Sequence, residues 1–361
     1  MSIFHELNCI MPPHLLDRLV DCDDSQVREA ARRTLVTSAH LRGARSTHPA
    51  IAGDLATPAQ GRRTIFDAEH RESLATAVLV RTEEAPPVSE VAVNQAFDGL
   101  GWTRQFYADV LDRDSIDGAG MRLDGYVHYG EEFNNAFWDG RHMVFGDGDL
   151  VLFADFTGAL DVIGHELTHG VTETTAALVY HNQPGALNES ISDVFGSLVK
   201  QWSLGQPAED ADWLIGADIF TPSHAGDALR SMKNPGTAYD NPTMGKDPQP
   251  AHMRDFVVLP DTARGDNGGV HINSGIPNRA FYLTAVNIGG QAWEAPGRIW
   301  YETLKASSRR TDFQQFADAT GAKAQQLFGI DVRQAVVDAW DQVGITVARS
   351  RGEGSASAAA S

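Results

Sequence analysis

His165-Glu166-Leu167-Thr168-His169 decides the reading of this 361-residue chain. On an α-helix, residues four apart differ by roughly 40° in rotation and lie about 6 Å apart along the axis. His165 and His169 therefore leave the helix on one face, where both imidazoles can hold a single zinc ion. Glu166 sits beside them, in reach of a water at that ion. The opposite face carries Val162, Ile163 and Leu167, and Asp161 stands where a carboxylate favours a helix start. Twenty residues beyond His169, Glu189 and Asp193 stand four apart in Gly185-Ala-Leu-Asn-Glu-Ser-Ile-Ser-Asp193, on one face of a second helix. Glu189 is the natural third ligand of a two-His, one-Glu site whose fourth position stays open for water. Asp193 suits a supporting role, accepting a hydrogen bond from the ligand imidazole of His165 and so fixing its tautomer. Either half of this pattern alone has a bland reading, as a surface helix or as solvated carboxylates. Together they specify a metal centre.

The rest of the chain is consistent with a two-lobed protein of the α+β class. Hydrophobic residues make up 42%, enough for a sizeable core. The formal charge of −19 argues against nucleic acid and anionic membranes as partners. No stretch approaches a membrane-spanning helix in length, and the N-terminus lacks the basic start and apolar core of a standard signal peptide. The expectation is a monomer that stays in the cytoplasm or is secreted by a non-standard route. The two cysteines, Cys9 and Cys22, could pair, but that bond would leave residues 23–361 without a staple.

Residues 1–45 form a separate module, with a helix over Asp24–Arg42 whose apolar face is Val27, Ala30, Ala31, Leu35 and Val36. Residues 46–63 read as a linker and 64–160 as a β-rich lobe interrupted by one helix near 88–110. Residues 161–348 read as a helical lobe, with helices at 161–178, 188–203, 275–289, 296–307, 312–327 and 331–342. The low-complexity tail 349–361 is expected to be disordered.

Beyond the metal residues, the stretches 134–140 (Asn-Asn-Ala-Phe-Trp-Asp-Gly), 146–149 (Gly-Asp-Gly-Asp), 165–171, 185–196, 229–232 (Leu-Arg-Ser-Met) and 266–275 resemble motifs of the thermolysin-like neutral metalloproteases. The resemblance runs from about Arg63 to about Val347. It implies a β-rich lobe and a helical lobe with the HExxH helix on the floor of the cleft between them. The short first module, with Pro12-Pro13 near its start, looks like the protealysin subgroup, which has a short propeptide. The implied activity is a zinc-dependent endopeptidase, made as an inhibited precursor with its own propeptide as intramolecular inhibitor. Glu166 would act as general base and acid toward metal-activated water, on protein or peptide substrates. The resemblance puts His271 and Tyr180 at the oxyanion, and Asp266 could hold His271 in its charged form. Arg230, Asn135 and the Ala136 carbonyl would grip the substrate backbone. Phe153, Phe156, Val162 and Leu229 would line an apolar pocket, so that cleavage falls before hydrophobic residues.

The sequence departs from the family at the double calcium site. Asp161 and Asp212 match, but Lys200, Leu214 and Ala217 replace acidic residues, so no double site is expected. Thr221 and Asp227 match part of a different calcium site, which leaves calcium open there. Cys9, just before Ile-Met-Pro-Pro, is a candidate fourth zinc ligand that would silence the precursor. An aminopeptidase would need an acidic anchor for the substrate amine, and Asn-Asn-Ala-Phe-Trp carries none. A non-catalytic binding protein derived from a protease would be expected to have lost Glu166 or His271.

Overall fold

The structure, a computed structural model, describes residues 8–47 and 62–348. Its first lobe is built on a six-stranded sheet. Strands β1 (Asn8–Cys9), β2 (Arg63–Asp67), β3 (Val78–Thr82), β4 (Leu123–Val127), β5 (Ala136–Trp138) and β6 (His142–Phe145) lie in the order β1-β5-β6-β4-β2-β3. The pairs β4–β2 and β4–β6 are parallel and the others antiparallel. β1 comes from the N-terminal module, so without it β5 would be an edge strand.

That module is two helices, α1 (Pro13–Leu19) and α2 (Ser25–Thr47), rather than the single helix read from the sequence. Pro12 and Pro13 explain the switch from strand to helix. Neither has an N–H to continue a ladder, and Pro13 at the first helical turn is preset for the helix. Leu15, Leu16, Leu19, Val27, Ala30 and Ala31 are buried as one face. Val36 is 56% exposed, which corrects the expected face. Nine residues at about 100° each carry it to the side opposite Val27. Thr34 and Thr37 take its place in the buried stripe.

Helix α3 (Val91–Leu111) packs on the sheet, and α4 (Leu160–Glu173) lies between α3 and β5 on one side and α5 (Asn182–Leu204) on the other. Every residue of α4 from Asp161 to Thr172 is buried. Two glycines allow α4 and α5 to approach. A Cβ on Gly196 would stand 2.3 Å from the Asp161 carbonyl oxygen, and one on Gly164 3.0 Å from the Gly196 Cα. The second lobe continues through α6 (Asp266–Asn273), α7 (Gly275–Ile288), α8 (Ala295–Ala306), α9 (Phe313–Phe328) and α10 (Ile330–Gln342). Its core stacks Trp300 on Trp340, with Phe281 and Phe316 edge-on. The tail and all but the ends of the linker lie outside the described residues.

Candidate metal centre

α4 supplies His165 and His169, and α5 supplies Glu189; exposure of the three is 0–1%. His165 Nδ1 lies 2.8 Å from Asp193 Oδ1, and His169 Nδ1 lies 2.9 Å from Asn188 Oδ1. A carboxylate and an amide carbonyl only accept, so on this assignment each ring donates from Nδ1 and keeps a lone pair on Nε2. The two Nε2 atoms face each other at 3.0 Å. Glu189 stands across from both, with Oε1 3.4 Å from His169 Nε2 and Oε2 3.6 Å from His165 Nε2. Glu189 Oε2 has no hydrogen-bond partner. Three electron-pair donors thus converge with no proton among them, an arrangement that a cation relieves. A tetrahedral zinc with bonds of about 2.0–2.1 Å would hold its ligand atoms about 3.3 Å apart, so the residues fit that ion. Burial also lowers His165 to about 4 and His169 to about 3, leaving both neutral, as ligands must be.

Proximity alone groups Glu166 with the two imidazoles. Its Oε2, however, accepts the Trp138 N–H at 3.0 Å, while Oε1 has no partner. Glu189 is the carboxylate whose two oxygens each address an imidazole. Burial, then the charge of Glu189, holds Glu166 well above the usual carboxylate range; a divalent cation nearby would bring it down.

Asp193 is a hub. Besides His165 it accepts Arg230 Nε and Nη2, each at 2.8 Å, and Asn278 Nδ2 at 2.8 Å. Burial opposes its charge, but Arg230 and His165 hold its carboxyl below the ordinary range. His271 sits behind four successive left-handed residues, Asp266 to Gly269. Asp266 accepts both the His271 N–H at 2.8 Å and Nδ1 at 2.5 Å. Burial works against a charged ring there, yet Glu189 and Asp266 together push His271 up to about 9. Tyr180 donates to Glu189 Oε1, and its hydroxyl lies 3.3 Å from His271 Nε2.

The N-terminal module fills the cleft. β1 pairs antiparallel with β5, Cys9 opposite Phe137. Ile10 N–H donates to the Ala136 carbonyl (3.3 Å) and Met11 N–H to Asn135 Oδ1 (3.2 Å). Arg230 Nη1 donates to the Ile10 carbonyl (3.1 Å), and His271 Nε2 lies 3.1 Å from the Cys9 carbonyl oxygen. A cavity of only about 30 Å³ remains between this strand, Tyr180, Asp266 and His271. Phe153, Phe156, Val162 and Leu229 are buried in the main apolar core, to which Ile10 also belongs.

His14, in the first turn of α1, locks the module from below. Its Nε2 meets the Tyr239 hydroxyl at 3.2 Å, while Nδ1 is shut from solvent without a partner. Burial, with His271 and Arg230 adding to it against Asp266, lowers His14 from 6.5 to about 4. Above pH 6.5 neither docked nor free module carries this proton. Between about 6.5 and 4 only the free module does, so docking weakens as pH falls. Amide protection of Ile10 and Met11, corrected for intrinsic exchange, is expected to drop about 30-fold from pH 7.5 to 5 on this linkage. The His14→Gln chain should lose that dependence; an unchanged pH profile would remove His14 from the lock.

The expected metal ligands, Glu166, Asp193, Tyr180, His271 and Asp266 are thus brought together with Asn135, Ala136 and Arg230 around residues 9–11. Sequence reading missed Asn188, Asn278, the Trp138 N–H and His14. Asn188 had a local signal, being next to Glu189, whereas the others come from distant segments. Cys9 and Cys22 are not joined, so the disulfide does not form. The Cys9 side chain joins an aromatic cluster with Tyr129, Phe133 and Phe137. Where the double calcium site would lie, Lys200 Nζ stands 2.8 Å from Asp218, 3.5 Å from Asp161 and 3.8 Å from Asp212. Among the described residues no helix is long and apolar enough to cross a membrane.

Residues 57–173 match the family described as thermolysin metallopeptidase, catalytic domain, and residues 176–345 the family described as thermolysin metallopeptidase, alpha-helical domain. An extracellular metalloprotease of Pectobacterium carotovorum subsp. carotovorum is 48% identical over 341 residues, covering 94% of this chain and 96% of that one. Protease PrtS of Photorhabdus sp. (strain Az29) is 51% identical over 287 residues, 79% of this chain and 76% of that one. The solved precursor of protealysin, a metalloproteinase from Serratia proteamaculans, superposes with a TM-score of 0.84 at 47% identity. It covers 94% of this chain and 100% of its own.

Proposed function

This chain belongs to the thermolysin metallopeptidase family, and from that premise we propose which of its residues carry the reaction and how its precursor is silenced. The protein is a zinc-dependent neutral metalloprotease of the protealysin-like subgroup, in precursor form. His165, His169 and Glu189 hold the zinc, which when bound supplies Lewis acidity to the substrate carbonyl and lowers the pKa of water. Glu166 takes the water's proton on Oε1 and later delivers it to the leaving nitrogen. His271 Nε2 and the Tyr180 hydroxyl donate to the carbonyl oxygen as it gains charge. Asp266 holds His271 through Nδ1 at 2.5 Å, which leaves Nε2 to face that oxygen. Arg230, Asn135 and Ala136 align the substrate as an added strand.

The observation that carries this reading is the placement of residues 9–11. Their carbonyls and N–H groups meet His271, Arg230, Ala136 and Asn135 as the backbone flanking a scissile bond would. The N-terminal strand inhibits by occupying the substrate's place, with Ile10 as the residue after the bond. Activation then requires release of this strand, by cutting within residues 46–63. Cys9 is tested separately as a zinc ligand: an uncut Cys9→Ser precursor that hydrolyses casein would assign silencing to its thiolate. Casein hydrolysis by the processed protein, abolished by phenanthroline and restored by zinc, tests the function as a whole. Pure, processed, zinc-loaded protein that cuts nothing would refute it.

Phe153, Phe156, Val162 and Leu229 are apolar and buried, as is Ile10, and they are assigned to an apolar pocket after the scissile bond. Cleavage sites in a denatured protein are expected to precede Leu, Ile, Phe or Val predominantly. A majority of charged residues at that position would remove the pocket assignment. The Lys200 ammonium among three carboxylates supplies charge that calcium would otherwise bring. A calcium-selective chelator that spares zinc is therefore expected to leave the Tm unchanged, and a fall in Tm would reinstate calcium. The Pectobacterium relative is named extracellular, which supports action outside the cell; culture fractionation checks it.

A further inference from the structure

Just beyond the C-terminal ends of β2, β4 and β6, three side chains outside the catalytic constellation converge: His70, His128 and Asp147. Three separate segments bring them there. The β2–β4 pairing runs on past both strands, with Ala68 N–H donating to the Val127 carbonyl (3.0 Å) and His70 N–H to the His128 carbonyl (2.8 Å). Both histidines adopt left-handed backbone, φ +59° for His70 and +55° for His128. That conformation is disfavoured for residues with a Cβ, so the corner is held by its surroundings. Asp147 comes from the loop after β6. Its Oδ1 lies 2.9 Å from His128 Nδ1 and its Oδ2 3.3 Å from His70 Nδ1. The two rings tilt at 47° with centroids 5.5 Å apart.

We propose that His70, His128 and Asp147 form a second divalent-metal site, selective for a zinc-class ion. Two imidazole nitrogens and one carboxylate oxygen are the donor set of zinc, nickel and cobalt rather than of calcium or magnesium. One ligand atom from each residue falls within 4.8 Å of the other two. Small side-chain rotations bring such a set to the roughly 3.3 Å spacing of a tetrahedral ion. The His70 side chain is 58% exposed, while those of His128 and Asp147 are 17% and 20% exposed, so the remaining coordination position opens to water.

The competitor is a proton. Both imidazoles must be unprotonated at the nitrogen that binds the ion, and Asp147 now takes that position at each ring. The ion must displace any proton held there, so binding strengthens as pH rises. The consequence is structural. Asp147 belongs to the loop whose Gly146 and Gly148 N–H groups support the Asn135 and Phe133 carbonyls (3.0 and 3.3 Å), the segment leading into β5. An ion there ties the β2 corner to the support of the substrate-binding strand.

The test uses the full-length precursor carrying Glu166→Ala, to prevent self-cutting, with its first zinc equivalent in place. Zn²⁺ is added at pH 8, unbound metal is removed, and metal per chain is counted alongside Tm. Two zinc ions per chain are expected, with a Tm that rises on adding the second. Introducing His70→Ala, an exposed position whose loss does not threaten folding, should return the count to one and abolish the Tm response. Asp147→Asn should weaken the second site at least tenfold, and lowering the pH to 6 should weaken it as protons compete for the imidazoles. A single zinc at pH 8, or two zinc ions retained by the His70→Ala chain, overturns the proposal.

Discussion

A Glu166→Ala precursor is expected to keep its zinc, remain uncut between residues 46 and 63, and hydrolyse casein about a thousandfold more slowly than wild type. The zinc should stay because the three donors that face one another belong to His165, His169 and Glu189. Glu166 instead hangs from the Trp138 N–H by one oxygen and leaves the other unpartnered, the posture of a proton carrier. Removing it leaves the ligands and the oxyanion donors in position, which is why residual activity above background is expected. Glu189→Ala is the control. It should lose zinc and activity together, since two imidazoles alone make an incomplete site. The reverse pattern, with zinc lost in Glu166→Ala and kept in Glu189→Ala, would exchange the two roles.

The second large effect belongs to Asp193. It joins a zinc ligand, His165, to the substrate clamp, Arg230, in a site without water access. Asp193→Ala leaves the fully buried Arg230 charge uncompensated, which costs about 3–5 kcal/mol of stability. It also frees the His165 ring, which should weaken zinc about 10- to 100-fold. Asp193→Asn preserves the shape and isolates the charge. It should fold, bind zinc at least several-fold more weakly, and show a raised KM as Arg230 loses its aim. Denaturant titration and competition with a zinc chelator measure these effects. An Asn variant equal to wild type in both would dissolve the link. Because Arg230 and His165 hold the Asp193 carboxyl below its ordinary range, its contribution is intact at neutral pH. It is lost only as pH falls through the depressed native value.

What could be read in advance was local in its physics. His165, Glu166 and His169 share a helix turn, and Glu189 and Asp193 share another, so helix geometry alone aligns them. The helical lobe was legible for the same reason, its segments being long and periodic, although α4 ends five residues before and α5 starts six residues before the expected bounds, and the short α6 was missed. Short elements were not legible. β1 and β5 have two and three residues, too few for any alternation to register, and they exist because they pair with each other and with β6. The face of α2 was misjudged at Val36 because an apolar residue was counted without its helical angle.

The sequence by itself determined the chemistry: which donors stand four apart and which base lies beside them. Tertiary structure alone decided how those parts meet. Glu189 reaches the imidazoles because Gly164 and Gly196 let α4 and α5 touch backbone to backbone. Asn188 and Asp193 orient the two rings, Arg230 and Asn278 charge and fix Asp193, and residues 9–11 lie where substrate would. These contacts span 19 to 262 residues of chain. No local propensity encodes them; they follow from which apolar faces are buried together, and that is settled only when the whole core closes.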